Sequence, residues 1–156
     1  MALGLGRKRF VECLVQVGAR VDIVSQASGF APPHLAAQSG EADLLKLFLA
    51  DIDACDVNIR AAEFQRGYAP LHLAAEKGAV ECVRHLLSFQ EVDVDAKDVK
   101  GDTTPLLLAV KNKHQEAARL LVENGADLDL KAGRLTLRQF FIQNFPDLDV
   151  LFGCAS

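Results

Sequence analysis

Paired aspartates are the feature of this 156-residue chain that most resembles a metal-binding centre. Carboxylate oxygens are the ligands that Ca²⁺ and Mg²⁺ prefer in proteins. No glycine or glutamate follows at the spacing of a calcium-binding loop, and the pairs at 93 and 127 fall at matching places in the repeats described below. We therefore predict loop turns there and no metal site. The four pairs are Asp51/Asp53, Asp93/Asp95, Asp127/Asp129 and Asp147/Asp149.

Histidine and cysteine could supply zinc ligands or a nucleophile with its base. Cys82 and His85 are suitably spaced, but a zinc site needs four ligands and the sequence offers no two others nearby. His34 and His72 recur at one position of a repeat, which predicts a structural role. A phosphate-binding glycine loop, a Gly-x-Ser-x-Gly elbow and a His-Glu-x-x-His motif are missing. We therefore expect no cofactor and no enzymatic activity.

The four cysteines do not have the pattern of a disulfide framework. Cys13 and Cys82 occupy equivalent places, in the segments VECL and VECV, which predicts two buried thiols on equivalent helices. The other two fall in a predicted loop and in the C-terminal tail. This usage is typical of a protein from a reducing compartment.

Composition and charge exclude several classes of partner. Half of the residues are hydrophobic and the formal net charge is −4, whereas a nucleic-acid surface needs clustered basic residues. The dense basic run Arg7-Lys8-Arg9 is predicted to be the polar start of a helix. No apolar stretch approaches the roughly 20 residues needed to span a bilayer. We expect a cytoplasmic location and no membrane insertion by this segment, with a membrane-tethered parent protein left open.

One short segment recurs three times and determines the predicted architecture. Its copies lie at 31–37, 69–75 and 104–110, and their prolines are 38 and 35 residues apart. A period of about 20–50 residues is typical of stacked repeat proteins, in which each unit buries its apolar faces against its neighbours. We therefore expect a solenoid rather than a domain with one central core.

Each copy predicts a first helix, a tight turn and an amphipathic second helix. Proline suits the first turn of a helix because its missing N–H would have no partner there. The turns are predicted at Gly40, Gly78 and Lys113. Glycine accepts the left-handed conformation of a helix cap, which costs lysine about 1 kcal/mol. The first helices are predicted over 33–39, 71–77 and 106–112.

The repeat divides the chain into three full units and two partial ones within a single domain. The first partial unit is a second helix without a convincing first helix, so little is left to cover Phe10, Leu14 and Val17. Either residues 1–9 form a cap or the chain is cut from a longer array. The predicted units are 1–28, 29–66, 67–100, 101–132 and, as a degenerate repeat or cap, 133–156.

These units resemble the ankyrin repeat. The family pattern is Gly-x-Thr-Pro-Leu-His-x-Ala-Ala, a glycine turn, a leucine-rich second helix and Gly-Ala-Asp-Val-Asn. Residues 67–78, GYAPLHLAAEKG, match it nearly throughout, and 18–22 and 125–129, GARVD and GADLD, match its end. The resemblance covers about residues 9–145. It implies an all-α repeat solenoid, an ankyrin-repeat stack of antiparallel helix pairs with hairpin loops.

No unit keeps both the threonine and the histidine that brace the first turn in this family. Alanine replaces the threonine in the units of His34 and His72, and Leu107 replaces the histidine beside Thr104. Each unit is expected to lose about 1 kcal/mol of stabilisation. We therefore expect modest stability.

The resemblance implies that a partner lies across a concave surface of hairpin loops and first helices. Phe64 beside arginine has the composition of an interface hot spot; the alternative is that Phe64 folds back over an edge of the stack. Tyr68 is expected to be exposed, and Lys97 and Asp98 are further loop positions. The predicted contact residues, here called the palm residues, are Gln38, Arg60, Glu63, Phe64, Arg66, Tyr68, Glu76, Lys77, Lys100, Asp102, Lys111 and Asn112.

The leading hypothesis is a non-catalytic, intracellular protein–protein interaction module, a scaffold or adaptor. The palm residues mix both signs of charge, which suits a polar protein partner rather than DNA. One alternative is the cytoplasmic array of a cation channel of the TRP type, because the aromatic segment 138–146 loosely resembles the end of such arrays. A regulatory arm of a ubiquitin ligase or kinase, and a host-targeting effector, are also open. We expect a monomer, with self-association through uncovered ends as the alternative.

Overall fold

A computed structural model of the chain describes residues 9, 12–50 and 55–146. Within these ranges the chain is mainly helical, and no helix there is long and apolar enough to cross a membrane. The helices are α1 (12–16), α2 (Pro32–Ser39), α3 (Ala42–Phe48), α4 (Pro70–Lys77), α5 (Val80–Leu86), α6 (Pro105–Lys111), α7 (Gln115–Glu123) and α8 (Leu137–Asn144). Two short strands, β1 (Lys131–Ala132) and β2 (Leu135–Thr136), precede α8.

The helices form two layers, as the repeat pattern predicts. First helices pack side by side, α2 on α4 and α4 on α6, while α3 packs on α5 and α5 on α7. Two consecutive alanines in α2 and two in α4 are buried, and their small side chains allow neighbouring helices to approach closely. The prediction of an all-α repeat stack is confirmed.

Each first helix begins at its proline, one residue before the predicted start. The residue before it, Ala31, Ala69 or Thr104, is extended. The Thr104 hydroxyl accepts a hydrogen bond from the backbone N–H of Leu107 at 3.3 Å, whereas the alanines carry no side-chain acceptor. The threonine cap is thus present in one of these three units.

The turns between paired helices have the left-handed backbone that was predicted. Gly40 and Gly78 have φ values of 75° and 66°, and Lys113 has a φ of 60°. A lysine in this region carries a steric cost that glycine avoids. The unit of α6 and α7 therefore keeps the turn of its neighbours at the expense of local strain.

The second helices bury one face and one cysteine. Val83 and Leu86 of α5 and Leu121 of α7 are fully buried, and so is Cys82. The prediction of an equivalent buried thiol at Cys13 is wrong, because that side chain is exposed. In α1 it is Val15 that packs against the core.

The N-terminal unit leaves apolar side chains uncovered, as predicted. Val17 is 80% exposed and Leu14 is 40% exposed. Leu35 in α2 is 47% exposed, whereas its counterpart Leu73 in α4 is buried. Arg9 is exposed; Phe10 and the rest of the predicted basic run lie outside the described residues.

The C-terminal unit contains a short β-hairpin in front of its helix. Strands β1 and β2 pair antiparallel, Lys131 with Thr136. Helix α8 lies in the segment 133–156, which was predicted as a degenerate repeat or cap. Thr136 caps this helix: its hydroxyl accepts the N–H of Gln139 at 3.3 Å while the Gln139 side chain accepts the N–H of Thr136 at 3.1 Å. Phe141 and Phe145 bury their rings edge to face.

Gly78→Ala should be far more destabilising than Gly101→Ala. Both glycines have positive φ, 66° and 76°, so each alanine costs about 1 kcal/mol in backbone strain. A Cβ at Gly78 would also collide with the ring of His114, whose Nε2 lies 3.0 Å from the carbonyl oxygen of Glu76, whereas a Cβ at Gly101 meets open space. We expect an additional loss of about 1–3 kcal/mol for Gly78→Ala. Urea unfolding of both variants measures this difference, and equal losses would contradict the packing described.

Candidate functional site

The histidines of α2 and α4 link consecutive units. The N–H of Ala31 donates to Nδ1 of His34 at 3.2 Å, and Nε2 of the same ring lies 2.9 Å from the carbonyl oxygen of Tyr68 in the next unit. His72 repeats the arrangement with the N–H of Ala69 at 3.2 Å and the carbonyl oxygen of Thr103 at 3.3 Å. These partners assign a neutral ring protonated on Nε2. The predicted structural role of both histidines is confirmed.

The prediction that Tyr68 is exposed is wrong. Its ring is only 5% exposed and stacks on the His72 ring, with centroids 4.9 Å apart and planes 6° from parallel. The guanidinium of Arg66 lies over the ring, 5.4 Å from its centroid. The carbonyl oxygen of Tyr68 accepts the hydrogen bond from Nε2 of His34, so both the backbone and the ring of Tyr68 are part of the packed stack. Tyr68 therefore has a structural position rather than an exposed one.

Asp98, predicted as a loop position of the concave surface, is buried and holds its loop together. Its Oδ1 accepts the backbone N–H groups of Asp102 and Thr103, both at 3.2 Å, and its Oδ2 pairs with Nη2 of Arg66 at 3.0 Å. Burial alone would raise the pKa of Asp98, but these hydrogen bonds and the Arg66 charge outweigh it and hold the pKa below its ordinary value. The Arg66 side chain is half exposed, so it both pairs with the buried carboxylate of Asp98 and presents part of its surface to solvent.

Backbone contacts tie the loop before α4 to the loop before α6. Arg60 is exposed, yet its guanidinium donates to the carbonyl oxygens of Gly67 at 3.1 Å and Lys97 at 2.7 Å. The N–H of Val99 donates to the carbonyl oxygen of Arg66 at 3.0 Å. The two loops therefore form one fixed platform whose outward side chains can meet a partner without prior ordering.

Phe64 was predicted either to be exposed to a partner or to fold back over the stack, and it does part of both. Its ring lies against Gly29, where an added Cβ would overlap it, so it does fold back over the preceding loop. It nevertheless remains 64% exposed. The platform thus presents a positioned aromatic ring at its surface.

The structure places the other palm residues mostly at the surface. Gln38 and Glu76 are half-buried on the first helices, at equivalent positions. The palm residues that are exposed are Arg60, Glu63, Phe64, Arg66, Lys77, Lys100, Asp102, Lys111 and Asn112. Sequence reasoning missed Val99, which is 58% exposed. An apolar side chain between the charged residues of a loop was the available signal.

The aspartate pairs that the structure describes form turns. Oδ1 of Asp127 accepts the N–H of Asp129 at 2.8 Å, and Oδ1 of Asp95 accepts the N–H of Asp127 in the next loop at 2.9 Å. The predicted loop turn at Asp127 is confirmed. The first and last pairs lie outside the described residues. Within the described ranges, no group of three or more His, Cys, Asp or Glu side chains could hold a metal ion.

Cys82 and His85, the pair considered as zinc ligands, are packed among other side chains of the stack. Burial raises the pKa of the Cys82 thiol to about 11, so it stays protonated near neutral pH. His85 packs edge to face on Phe89, with ring centroids 5.2 Å apart. What the described surface offers chemically is binding through fixed charges and exposed apolar groups.

Stability should fall as the pH drops from about 6.5 towards 4, because the bridging histidines fold in the neutral form. Burial lowers the pKa of His34 and lowers that of His72 from 6.5 to about 4. Below pH 6.5 the unfolded chain therefore binds protons that the folded chain does not bind. This lowers the free energy of unfolding by up to about 3 kcal/mol for His72. Urea unfolding at pH 7 and pH 5 measures the loss.

The control for this titration is His72→Gln, whose amide can replace both hydrogen bonds but does not take up a proton. The variant should lose clearly less stability than the wild type between pH 7 and pH 5. The same loss in both proteins would show that His72 does not carry the pH dependence.

Comparison with known proteins agrees with this geometry. No curated protein is significantly similar to the chain. A family model described as ankyrin repeats matches residues 34–132 in three copies, which is more than half of the chain and includes both bridging histidines. Ankyrin repeats are generally protein–protein interaction modules. The chain belongs to the ankyrin repeat family.

Proposed function

We propose that this chain is a non-catalytic protein–protein interaction module, a scaffold or adaptor acting inside the cell, whose partner lies across the palm residues. The observation that carries the proposal is the platform made by the loops before α4 and α6. Its backbone is fixed by the bonds of Arg60 and by the Arg66–Asp98 pair, while Phe64 and Val99 stay exposed.

Fixed loops favour binding because little conformational entropy is lost when a partner docks. Exposed apolar side chains ringed by charges are the usual composition of a protein interface, with the apolar groups supplying affinity and the charges supplying orientation. Lys77 and Lys111 extend this surface onto α4 and α6, where both side chains are exposed.

The test is affinity capture from cell lysate with the wild type and with the triple variant Phe64→Ala, Lys77→Ala, Lys111→Ala. All three side chains are exposed, so the fold should survive. Arg66 is left intact because its removal would strand the buried carboxylate of Asp98. We expect partners of the wild type to be lost by the triple variant.

The matched control is Val17→Ala, Lys46→Ala, Arg84→Ala. It removes one apolar group from the turn after α1 and one positive charge each from α3 and α5, all outside the palm residues. This control should retain the partners. The proposal fails if the control and the palm variant lose the same partners, or if neither loses any.

A further inference from the structure

A small cleft lies between the loops that precede α4 and α6. Its volume is about 200 Å³, below the roughly 300–1,000 Å³ typical of small-molecule sites. This size suits one side chain of a larger ligand. The groups that border it include Arg60, Ala61, Glu63, Gly67, Lys97 and Val99.

Apolar groups make up the inner part of the cleft. Ala61 is buried, and Gly67 has no side chain, so one methyl of Val99 approaches to 2.8 Å from the place where a Cβ of residue 67 would stand. The rest of Val99 faces solvent, with 58% of the residue exposed. An aliphatic or aromatic side chain entering the cleft would therefore cover Val99 and remove apolar area from water.

The walls of the cleft are already in place. Arg60 donates to the carbonyl oxygens of Gly67 and Lys97, one on each wall, and Asp98, which borders the cleft, is held by its ion pair with Arg66 at 3.0 Å. Arg60 therefore presents its charge at the rim without being free to move away. A ligand would meet a preformed site, which lowers the entropic cost of binding.

Charge distinguishes this surface from the rest of the chain. The palm residues together with Lys97 and Asp98 include six basic and four acidic side chains, whereas the remainder of the sequence has eleven basic and seventeen acidic. Asp98 is already neutralised by Arg66. Lys97 and Lys100 are exposed and form no ion pair with another described residue. The net positive charge of the palm residues favours negative charge in a ligand, placed beside Lys97 and Lys100 rather than beside Glu63, a carboxylate that also borders the cleft.

We propose that the cleft binds an extended, acidic segment of a partner protein, with one bulky apolar side chain seated against Val99 and neighbouring carboxylates paired with Lys97 and Lys100. This inference rests on the proposed function and adds the chemistry of the partner. The cleft supplies specificity for the apolar residue, and the lysines select acidic neighbours over basic ones.

The test uses a random library of peptides of about 12 residues, long enough to cross both loops, displayed and selected against the full chain. The sequences recovered should share one Leu, Ile, Met or Phe flanked by Asp or Glu. A synthetic peptide of the recovered consensus is then measured by fluorescence anisotropy. Val99→Asp, and separately Lys97→Glu with Lys100→Glu, should each weaken binding by about tenfold or more.

The matched control is Lys46→Glu with Arg84→Glu, the same charge change on α3 and α5, which should leave affinity within about twofold. Peptides without acidic residues, or binding that survives the cleft variants and is lost on Lys77→Glu with Lys111→Glu, would overturn the cleft proposal but leave the protein-binding surface standing. Failure to recover any peptide sensitive to these variants, together with lysate capture insensitive to the palm variant, would overturn both proposals.

Discussion

A neutral histidine that hydrogen-bonds in two directions is the interaction on which the rest of the stack depends. Nδ1 accepts a hydrogen bond from the backbone N–H of the residue just before its own helix. Nε2 donates to a carbonyl oxygen of the following unit, at 2.9 Å for His34 and 3.3 Å for His72. Both rings are fully buried, so these bonds are formed away from competing water. They set the distance between units and fix the loop that carries the accepting carbonyl. Tyr68 is buried for this reason, and the loop beside it becomes a rigid support for exposed side chains.

The hydrogen bonds between units that His34 and His72 make have no equivalent at Leu107, which stands in place of histidine in the next unit. Thr104 caps its own helix, but no ring reaches forward to the next unit. The entry to α8 is instead organised by its own β-hairpin, with the N–H of Leu137 donating to the carbonyl oxygen of Leu130 at 2.8 Å. Apolar packing of Phe141 then attaches α8 to the stack. The bridged units therefore support the proposed partner surface, whereas burial of apolar side chains holds α8 against the stack.

Much of the fold was predictable because the signals are local. Proline at a helix start, glycine at a turn and apolar residues at helical spacing act within a few residues, and even the strained turn at Lys113 followed from position alone. The site was less predictable because exposure depends on neighbouring units. Tyr68 and Asp98 sit in polar loops, yet both are buried, and they are bonded to His34 and Arg66, which lie 34 and 32 residues earlier in the chain. Cys13 matches Cys82 in sequence but lacks its burial, and Val99 became notable only once the adjacent loop was in place.

The most direct test of the histidine bridge is two-dimensional ¹⁵N NMR of the imidazole rings. We expect His34 and His72 to be neutral and protonated on Nε2 at pH 7, and His72 to keep that form to about pH 5, since burial lowers the pKa of His34 and lowers that of His72 to about 4. Protonation on Nδ1, or a positively charged ring at pH 6, would contradict the account, because the N–H of Ala31 or Ala69 would then face a second N–H instead of an acceptor.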